Sequence, residues 1–540
     1  MKLKPFRNEP ILDFSIQSTI KKQKKALQDV RQKLGKSYEI IIGEERIKTE
    51  STFNSYNPSK KEEIVAVFNK GTKELVNKAV ETAFKKFDEW KNVSAEKRSK
   101  ILLKAANIAK KRRFEINAWM NLEAGKNFAE ADADTAEAID FMEFYAREML
   151  RYGAKQPITP IKGERNELVY IPLGVGVVIP PWNFPFAILV GMSSAAIVTG
   201  NTIVLKPSSD TPMMGKLFYD IMEEAGLPNG VLNFMPGSGS EVGDPLVSHP
   251  KVRFIAFTGS MEVGTHLNEL AAKVQPGQIW LKRVIAEMGG KDSIIVDKET
   301  NIDEAVKGVI TSAFGFQGQK CSACSRAIVD QEIYDSFVGK LKEEVEKIPI
   351  GPSEDNYLAG PVINEKAERN ILNYIDIGKN EGNLLTGGVK TSDDGYYVAP
   401  TVITDIDPKA RIAQEEIFGP VLAIIKSSNF DESIRIANNT IYGLTGAVYT
   451  DNRRKLEKAK KEVFIGNLYL NRKCTGALVG GHPFGGFNMS GTDSKAGGRD
   501  YLLLFLQAKA LSEKIMQPKK VAKRITSKNK TRKKSKRNVK

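Results

Sequence analysis

The chain has 540 residues, 41% of them hydrophobic and 27% charged, the balance of a soluble globular protein with room for roughly three or four ordinary domains. Its three cysteines, Cys321, Cys324 and Cys474, are too few and odd in number for a disulfide framework, so a reducing, cytoplasmic setting and thiol chemistry are expected instead. The formal charge of +16 sits mostly in residues 517–540, which hold twelve Lys or Arg and no acid. The +4 left elsewhere excludes a broadly basic binding face; the tail itself is expected to be disordered, with nucleic acid a partner through it alone.

The first ten residues, MKLKPFRNEP, lack the apolar stretch of a secretory signal. Residues 71–150 read as helical. Leu75, Val76, Ala79, Val80, Ala83, Phe84 and Phe87 recur at spacings of three and four behind a capping Thr72, and Leu102, Leu103, Ala106 and Ile108 repeat the pattern over 99–116. Residues 170–205 carry no charge, but Pro172, Pro180, Pro181 and Pro185 interrupt them. A membrane span needs about 20 continuous apolar residues, so a buried strand, a turn and a core helix are expected, and no membrane. Apolar runs at Val175–Ile179, Thr202–Leu205, 231–234, 253–257 and Ser293–Val296 then alternate with helix-like stretches such as 213–225 and 261–273. That is the signature of a doubly wound parallel sheet. A second alternation runs from 303 to about 470, and two α/β layers imply a ligand cleft beyond the carboxyl ends of the strands.

Four segments carry chemistry. Cys321, in Gly-Gln-Lys-Cys-Ser-Ala-Cys-Ser-Arg, follows a helix pattern and a turn with Gly315 and Gly318, and Lys320 beside it can favour a thiolate. Alone, Cys321 also reads as a buried small hydrophobe, or as half of a CxxC redox or metal pair with Cys324. No second cysteine pair or nearby His completes a zinc set, so no metal is expected. Pro-Trp-Asn-Phe-Pro at 181–185 fixes the backbone around Asn183, whose amide then suits an oxyanion, unless the segment is simply a rigid turn. Glu287 closes an apolar run with Val284 and Ile285, and is either a base tuned by burial or a surface acid. The strand 253–257 enters Thr258-Gly259-Ser260 and then a helix, an anion site built of backbone N–H groups. Gly237-Ser-Gly-Ser-Glu-Val-Gly243 follows another strand, with Gly239 and Gly243 spaced one residue off the dinucleotide fingerprint. His249, His266 and His482 are scattered and show no ligand or triad spacing.

Taken in order, these segments resemble the aldehyde dehydrogenase superfamily over roughly residues 40–515. The markers are PWNFP, Lys206-Pro207, FTGS at 257–260, EMGGK at 287–291, GQKC at 318–321, EEIFGP at 415–420 and PFGG at 483–486. The resemblance implies an α/β fold with a Rossmann-type cofactor domain (41–150 and 170–288), an α/β catalytic domain (289–486) and a small β oligomerisation flap (151–169 with 487–516). An N-terminal arm (1–40) and the basic tail flank them, and a homo-oligomer is implied. By the same resemblance Cys321 is the nucleophile, Asn183 the oxyanion donor and Glu287 the base that hydrolyses the thioester. Pro181, Trp182, Lys206, Ser208, Ser209, Gly239, Gly243, Thr258, Gly259, Ser260, Glu416 and Phe418 become contacts to NAD.

Within the superfamily the likeness narrows to the branch that oxidises L-glutamate γ-semialdehyde to L-glutamate in proline and arginine degradation. It is carried by the long arm, Glu137-Ala-Ile-Asp-Phe, TGALVG at 475–480, FGGFNMSGT at 484–492 and GGRDY at 497–501. The implied substrate contacts are Glu137, Phe184, Lys320, Ser322, Gly476, Ala477 and Phe484, with the N–H groups near Gly476 and Ala477 as a carboxylate nest. Another semialdehyde, succinic or aminoadipic, is the alternative. Ser209 stands where many NAD-preferring members have a Glu that repels a 2′-phosphate, which leaves NADP open beside NAD.

Overall fold

A computed structural model of the chain describes residues 3–516; the expectation for residues 517–540 lies outside the described residues. Two seven-stranded sheets organise the molecule. Across the first run Arg283–Glu287, Val252–Thr258, Val175–Ile179, Thr202–Leu205 and Leu232–Phe234, all parallel, followed by Ile40–Ile42 and Glu45–Ile47 in antiparallel pairing. The central strands are apolar on both faces because a helical layer covers each side. Their register pairs Phe257 with Ile179, Val178 with Leu205 and Thr258 with Glu287. The carboxyl ends are therefore level, and the segments 180–183, 206–209, 235–243 and 259–260 emerge along one edge.

The second sheet runs Asn383–Thr386, Thr401–Thr404, Val421–Ser427, Arg326–Asp330, Ser293–Val296, Thr445–Tyr449 and Asn467–Leu470, with only the first strand antiparallel. The chain passes from the first sheet to the second through residues 288–292, so the carboxyl end of Arg283–Glu287 leads directly to the amino end of Ser293–Val296. Two glycines make that junction tight. A Cβ on Gly289 would overlap the Glu416 carboxylate, and one on Gly290 would stand 2.6 Å from the Cys321 carbonyl oxygen.

The helical region resolves into Lys73–Trp90, Ala95–Lys111, Arg113–Glu123 and Phe128–Tyr152. Thr72 caps the first, its hydroxyl accepting from Leu75 N at 3.4 Å. The continuous helix expected over 99–116 is broken at Arg112, whose ψ of 11° leaves the helical range. Within the expected N-terminal arm a helix, Gln17–Arg31, packs on Arg113–Glu123, and Ile40 already belongs to the first sheet. The flap also differs from its expected bounds. Its two strands are Glu164–Pro172 and Leu506–Lys514, in nine antiparallel pairs. Residues 487–505 fold back over the junction of the sheets instead, because Tyr501, Leu502 and Phe505 bury there; Tyr501 stacks on Tyr145 and Phe505 meets Phe254 edge-on. Among the described residues no helix is long and apolar enough to cross a membrane.

Candidate active site

The helix Ile302–Phe314 runs into Gly315, and the next three residues, Phe316 (φ 52°), Gln317 (φ 55°) and Gly318 (φ 66°), are all left-handed. A Cβ on Gly318 would overlap the Gly419 carbonyl oxygen. Gln319 then locks the turn. It is fully buried, and its Oε1 accepts from Ile363 N at 2.9 Å. This strained turn delivers Cys321 to a cavity of about 110 Å³. Cys324 faces the other way, into the core beside the buried Cys474. All three cysteines are free, and the two halves of the CxxC lie in separate environments.

The Cys321 thiol is pushed up by burial and by the nearby Asp292, Glu416 and Glu287 carboxylates, while the Ser322 N–H pulls it down. Lys320 does not serve it as expected. Its Nζ donates to Glu130 Oε1 at 2.7 Å, an acid whose pKa falls through Lys320 and Lys126 despite its burial. The ion pair takes the lysine's charge away from the sulfur.

Asn183 lies beyond the strand Val175–Ile179, in the turn before the buried helix Ala187–Val198. That helix is anchored at its start, where Ala187 N donates to Asp134 Oδ1 at 2.5 Å. Asn183 Nδ2 donates to the Gln319 carbonyl at 3.0 Å. One amide proton is thus used for aim and one remains. The Cys321 N–H has no protein acceptor among the described residues, so two donors are available to an oxyanion beside the sulfur.

Glu287, the last residue of its strand, is 9% exposed. Its Oε1 accepts from Ser494 Oγ at 2.6 Å and Ser494 N at 3.2 Å, and its Oε2 accepts from Gly486 N at 3.3 Å. Burial outweighs these donors and pushes its pKa up to about 7. Ser494 and Gly486 lie about 200 residues away along the chain, and no spacing in the sequence points to them. Their only signal was membership of, or nearness to, the PFGG segment: Gly486 is its last residue and Ser494 follows it.

The dinucleotide-contact candidates gather along the carboxyl edge of the first sheet in two groups. In one, Lys206 follows its strand, the Ser209 hydroxyl donates to Gly237 O at 3.3 Å, and a Cβ on Gly243 would sit 3.7 Å from the Lys206 side chain. Ser208 accepts from Asp210 N. The segment 237–243 is a capped turn, not a phosphate loop of the usual form: Ser238 Oγ accepts from Glu241 N and donates to the Glu241 carboxylate, while Gly239 has open space above it. In the other group Trp182 meets Phe418 edge-on at 5.4 Å, and Glu416 accepts from Gly290 N at 3.0 Å. Between them Gly259 N donates to Glu287 O, and Ser260 caps the helix Met261–Ala272 through Val263 N. Thr258 is buried against Met192.

Lys206 tests the fit of a cofactor. It is 6% exposed, its Nζ donates among the described residues only to the Pro207 carbonyl at 3.3 Å, and burial lowers its pKa to about 8. A buried ammonium so poorly satisfied suits ribose hydroxyls. Pro181 borders the same edge.

Glu137, Phe184, Ser322, Gly476, Ala477 and Phe484 line the cavity with Cys321 and Glu287; Lys320 does not. Gly476 takes φ 76°, and the N–H groups of Gly476 and Ala477 have no acceptor among the described residues. Arg472 binds the carbonyls of Thr475 and Gly476 from behind, at 3.1 and 3.2 Å. Glu137 is raised to about 8, by burial first and then by Asp134. Beneath it the fully buried Lys126–Asp134 pair, 2.8 Å apart, sets Lys126 4.2 Å above the Phe184 ring. Of the three histidines, His482 alone touches this region, its Nδ1 accepting from Leu478 N at 3.2 Å. No group of three or more His, Cys, Asp or Glu among the described residues could hold a metal.

The model of the aldehyde dehydrogenase family matches residues 46–511. The chain belongs to that family. Among its relatives, a 1-pyrroline-5-carboxylate dehydrogenase of Geobacillus thermodenitrificans (strain NG80-2) is 55% identical over 95% of this chain and 99% of the relative. A 1-pyrroline-5-carboxylate dehydrogenase 2 of Bacillus subtilis (strain 168) is 54% identical over 94% and 99%. A crystal structure of 1-pyrroline-5-carboxylate dehydrogenase from Thermus with bound NAD superposes with a TM-score of 0.94 at 50% identity, covering 95% of this chain and all of that one. The aldehyde dehydrogenase fold, with its two largely parallel sheets, is therefore the fold of this chain.

Proposed function

We propose that this aldehyde dehydrogenase oxidises L-glutamate γ-semialdehyde, the open form of 1-pyrroline-5-carboxylate, to L-glutamate. The observation that carries the reading is the cavity itself. The Cys321 nucleophile shares it with two N–H groups, at Gly476 and Ala477, that have no acceptor among the described residues, and with the half-buried acid Glu137. An α-carboxylate suits the nest and an α-ammonium suits Glu137, while Phe184 and Phe484 wall the methylenes between. A substrate ammonium would also restore the charge on Glu137 that burial suppresses.

In this reading the Cys321 thiol gives up its proton to solvent, the thiolate attacks the aldehyde carbon, and the oxyanion accepts hydrogen bonds from the second Asn183 amide N–H and the Cys321 N–H. Lys206, Ser209, the Ser260-capped helix, Glu416 and Phe418 would hold a nicotinamide dinucleotide, which supplies the acceptor for the hydride leaving that carbon. Glu287 then takes a proton from the water that opens the thioester. NAD is the cofactor named for the Thermus relative, and Ser209 leaves room for NADP. An exposed two-stranded ribbon is marginal alone in water, and Ile171 and Leu511 stand out from it, which supports a homo-oligomer. The free thiols support a cytoplasmic setting.

The test is a panel of glutamate γ-semialdehyde, succinic semialdehyde and pentanal, each with NAD and with NADP. The first should have the highest kcat/KM, and Glu137→Gln should narrow its lead over succinic semialdehyde, which has no ammonium. Equal or better oxidation of pentanal sinks the assignment.

A further inference from the structure

The segment from residue 3 to residue 14 has little regular structure, yet it is tightly held. It crosses the helix Phe128–Tyr152, where Leu12 N donates to Asp132 Oδ2 and Glu9 N to Asp140 Oδ1, each at 2.7 Å. Arg113 closes the first contact, with 2.6 Å to both Asp132 oxygens and 2.8 Å to the Pro10 carbonyl. Asn8 does something different. Its Nδ2 donates both to Asp140 Oδ2, at 2.8 Å, and to the Val479 carbonyl, at 3.0 Å. Two residues away, the Phe6 ring packs on Phe144 at 5.2 Å, and a Cβ on Gly480 would lie 3.2 Å from both rings.

Asp140 lies three residues beyond Glu137 on one helix, and Val479 two residues beyond Ala477 in one turn. Arg472 holds the back of that turn through the Thr475 and Gly476 carbonyls, but its front is open: Gly476 faces the cavity and Leu478 is 48% exposed. Donors to a carboxylate bind well only when held in place before it arrives. Here one amide side chain ties the turn with the two N–H groups to the helix that bears the acid.

We propose that the N-terminal segment is a specificity element, in which Asn8 and Phe6 position the Gly476–Ala477 turn against the Glu137 helix and so set affinity for the amino-acid end of the substrate. Asn8 is a positioning residue and touches no substrate. The inference rests on the substrate reading above, and the experiment separates the two.

The full chain and its Asn8→Ala and Asn8→Asp variants are assayed with glutamate γ-semialdehyde and with pentanal, which has no α-substituents. Asn8→Ala should raise KM for the first about five- to tenfold, the loss of one or two well-placed hydrogen bonds, with kcat within about twofold and pentanal KM unmoved. Asn8→Asp sets an acceptor against Asp140 and the Val479 carbonyl, and should do at least as much. A KM unchanged for both aldehydes, or raised equally for both, overturns the proposal. A wild-type enzyme with no preference for glutamate γ-semialdehyde overturns the substrate reading first, and this one with it. Should Asn8→Ala fail to fold by circular dichroism, Phe6→Leu, which keeps an apolar contact but withdraws the ring from Gly480, gives the same comparison.

Discussion

A base that works near neutrality needs a pKa near neutrality, and Glu287 reaches about 7 through burial opposed by three donors. In the proposed mechanism the thioester step needs its carboxylate, so that step should slow as pH falls through about 7 and level off above it. Ser494 Oγ, the shortest donor, favours the ionised form. Ser494→Ala should therefore move the acid limb of thioester hydrolysis upward by about one pH unit, the equivalent of one hydrogen bond to a charge, and Ser494→Thr should restore it. Glu287→Gln should release one burst of reduced cofactor and then stall. An acid limb that stays put in Ser494→Ala would show that the serine only fills space. At this scale placement was legible where it is written in contiguous words: Asn183 between prolines, Cys321 in its turn, Glu287 at a strand end. Ser494, Gly486 and Asn8 were not, because each reaches its partner across more than a hundred residues through the fold alone. Lys320 shows the opposite error, since adjacency in sequence suggested the thiol and the side chain went to Glu130.

Elements place these residues, and the turn 316–318 is the most demanding of them. Three successive left-handed residues are costly, each non-glycine one by about 1–2 kcal/mol, and the structure holds them because Gln319 is pinned on both sides. Gly318→Ala adds a Cβ against the Gly419 carbonyl, which one of the two backbones must clear. It should destabilise the protein by at least ~2 kcal/mol and lose most activity, while Gly339→Ala, in open space on a helix, should do neither. Equal melting temperatures and rates for the two variants would refute the account of the turn. The β-runs read from the sequence fall within a residue or two of the observed strands, because a parallel strand buried on both faces has little choice but continuous Val, Ile and Leu. The break at Arg112 and the return of 487–505 to the cavity were not legible. The first is a local kink inside an unbroken helical pattern, and the second depends on where Tyr501 and Phe505 find partners.

The whole molecule is two sheets set edge to edge, with the site at their junction and the ribbon Glu164–Pro172 with Leu506–Lys514 at the margin. The alternation of strands and helices made the two layers readable; the closeness of their contact became visible only in Gly289 and Gly290. Charge at this scale divides unevenly. Residues 517–540 carry twelve of the sixteen net positive charges, and they follow both the family match, which ends at 511, and the last strand, which ends at Lys514. On that placement neither catalysis nor the ribbon should draw on them. Truncation after Met516 should therefore leave kcat, KM and oligomeric state unchanged. Twelve closely spaced cations still displace counterions from a polyanion, an affinity that falls steeply as salt rises. No aromatic residue stands among them to stack on a base, so binding should ignore sequence. The full chain should be retained on heparin or RNA at low salt and released well before physiological salt is doubled, and the truncated chain should pass through. A truncated enzyme that loses activity or its assembly would show that the basic segment belongs to the catalytic body, and retention of the truncated chain would place the polyanion contact elsewhere.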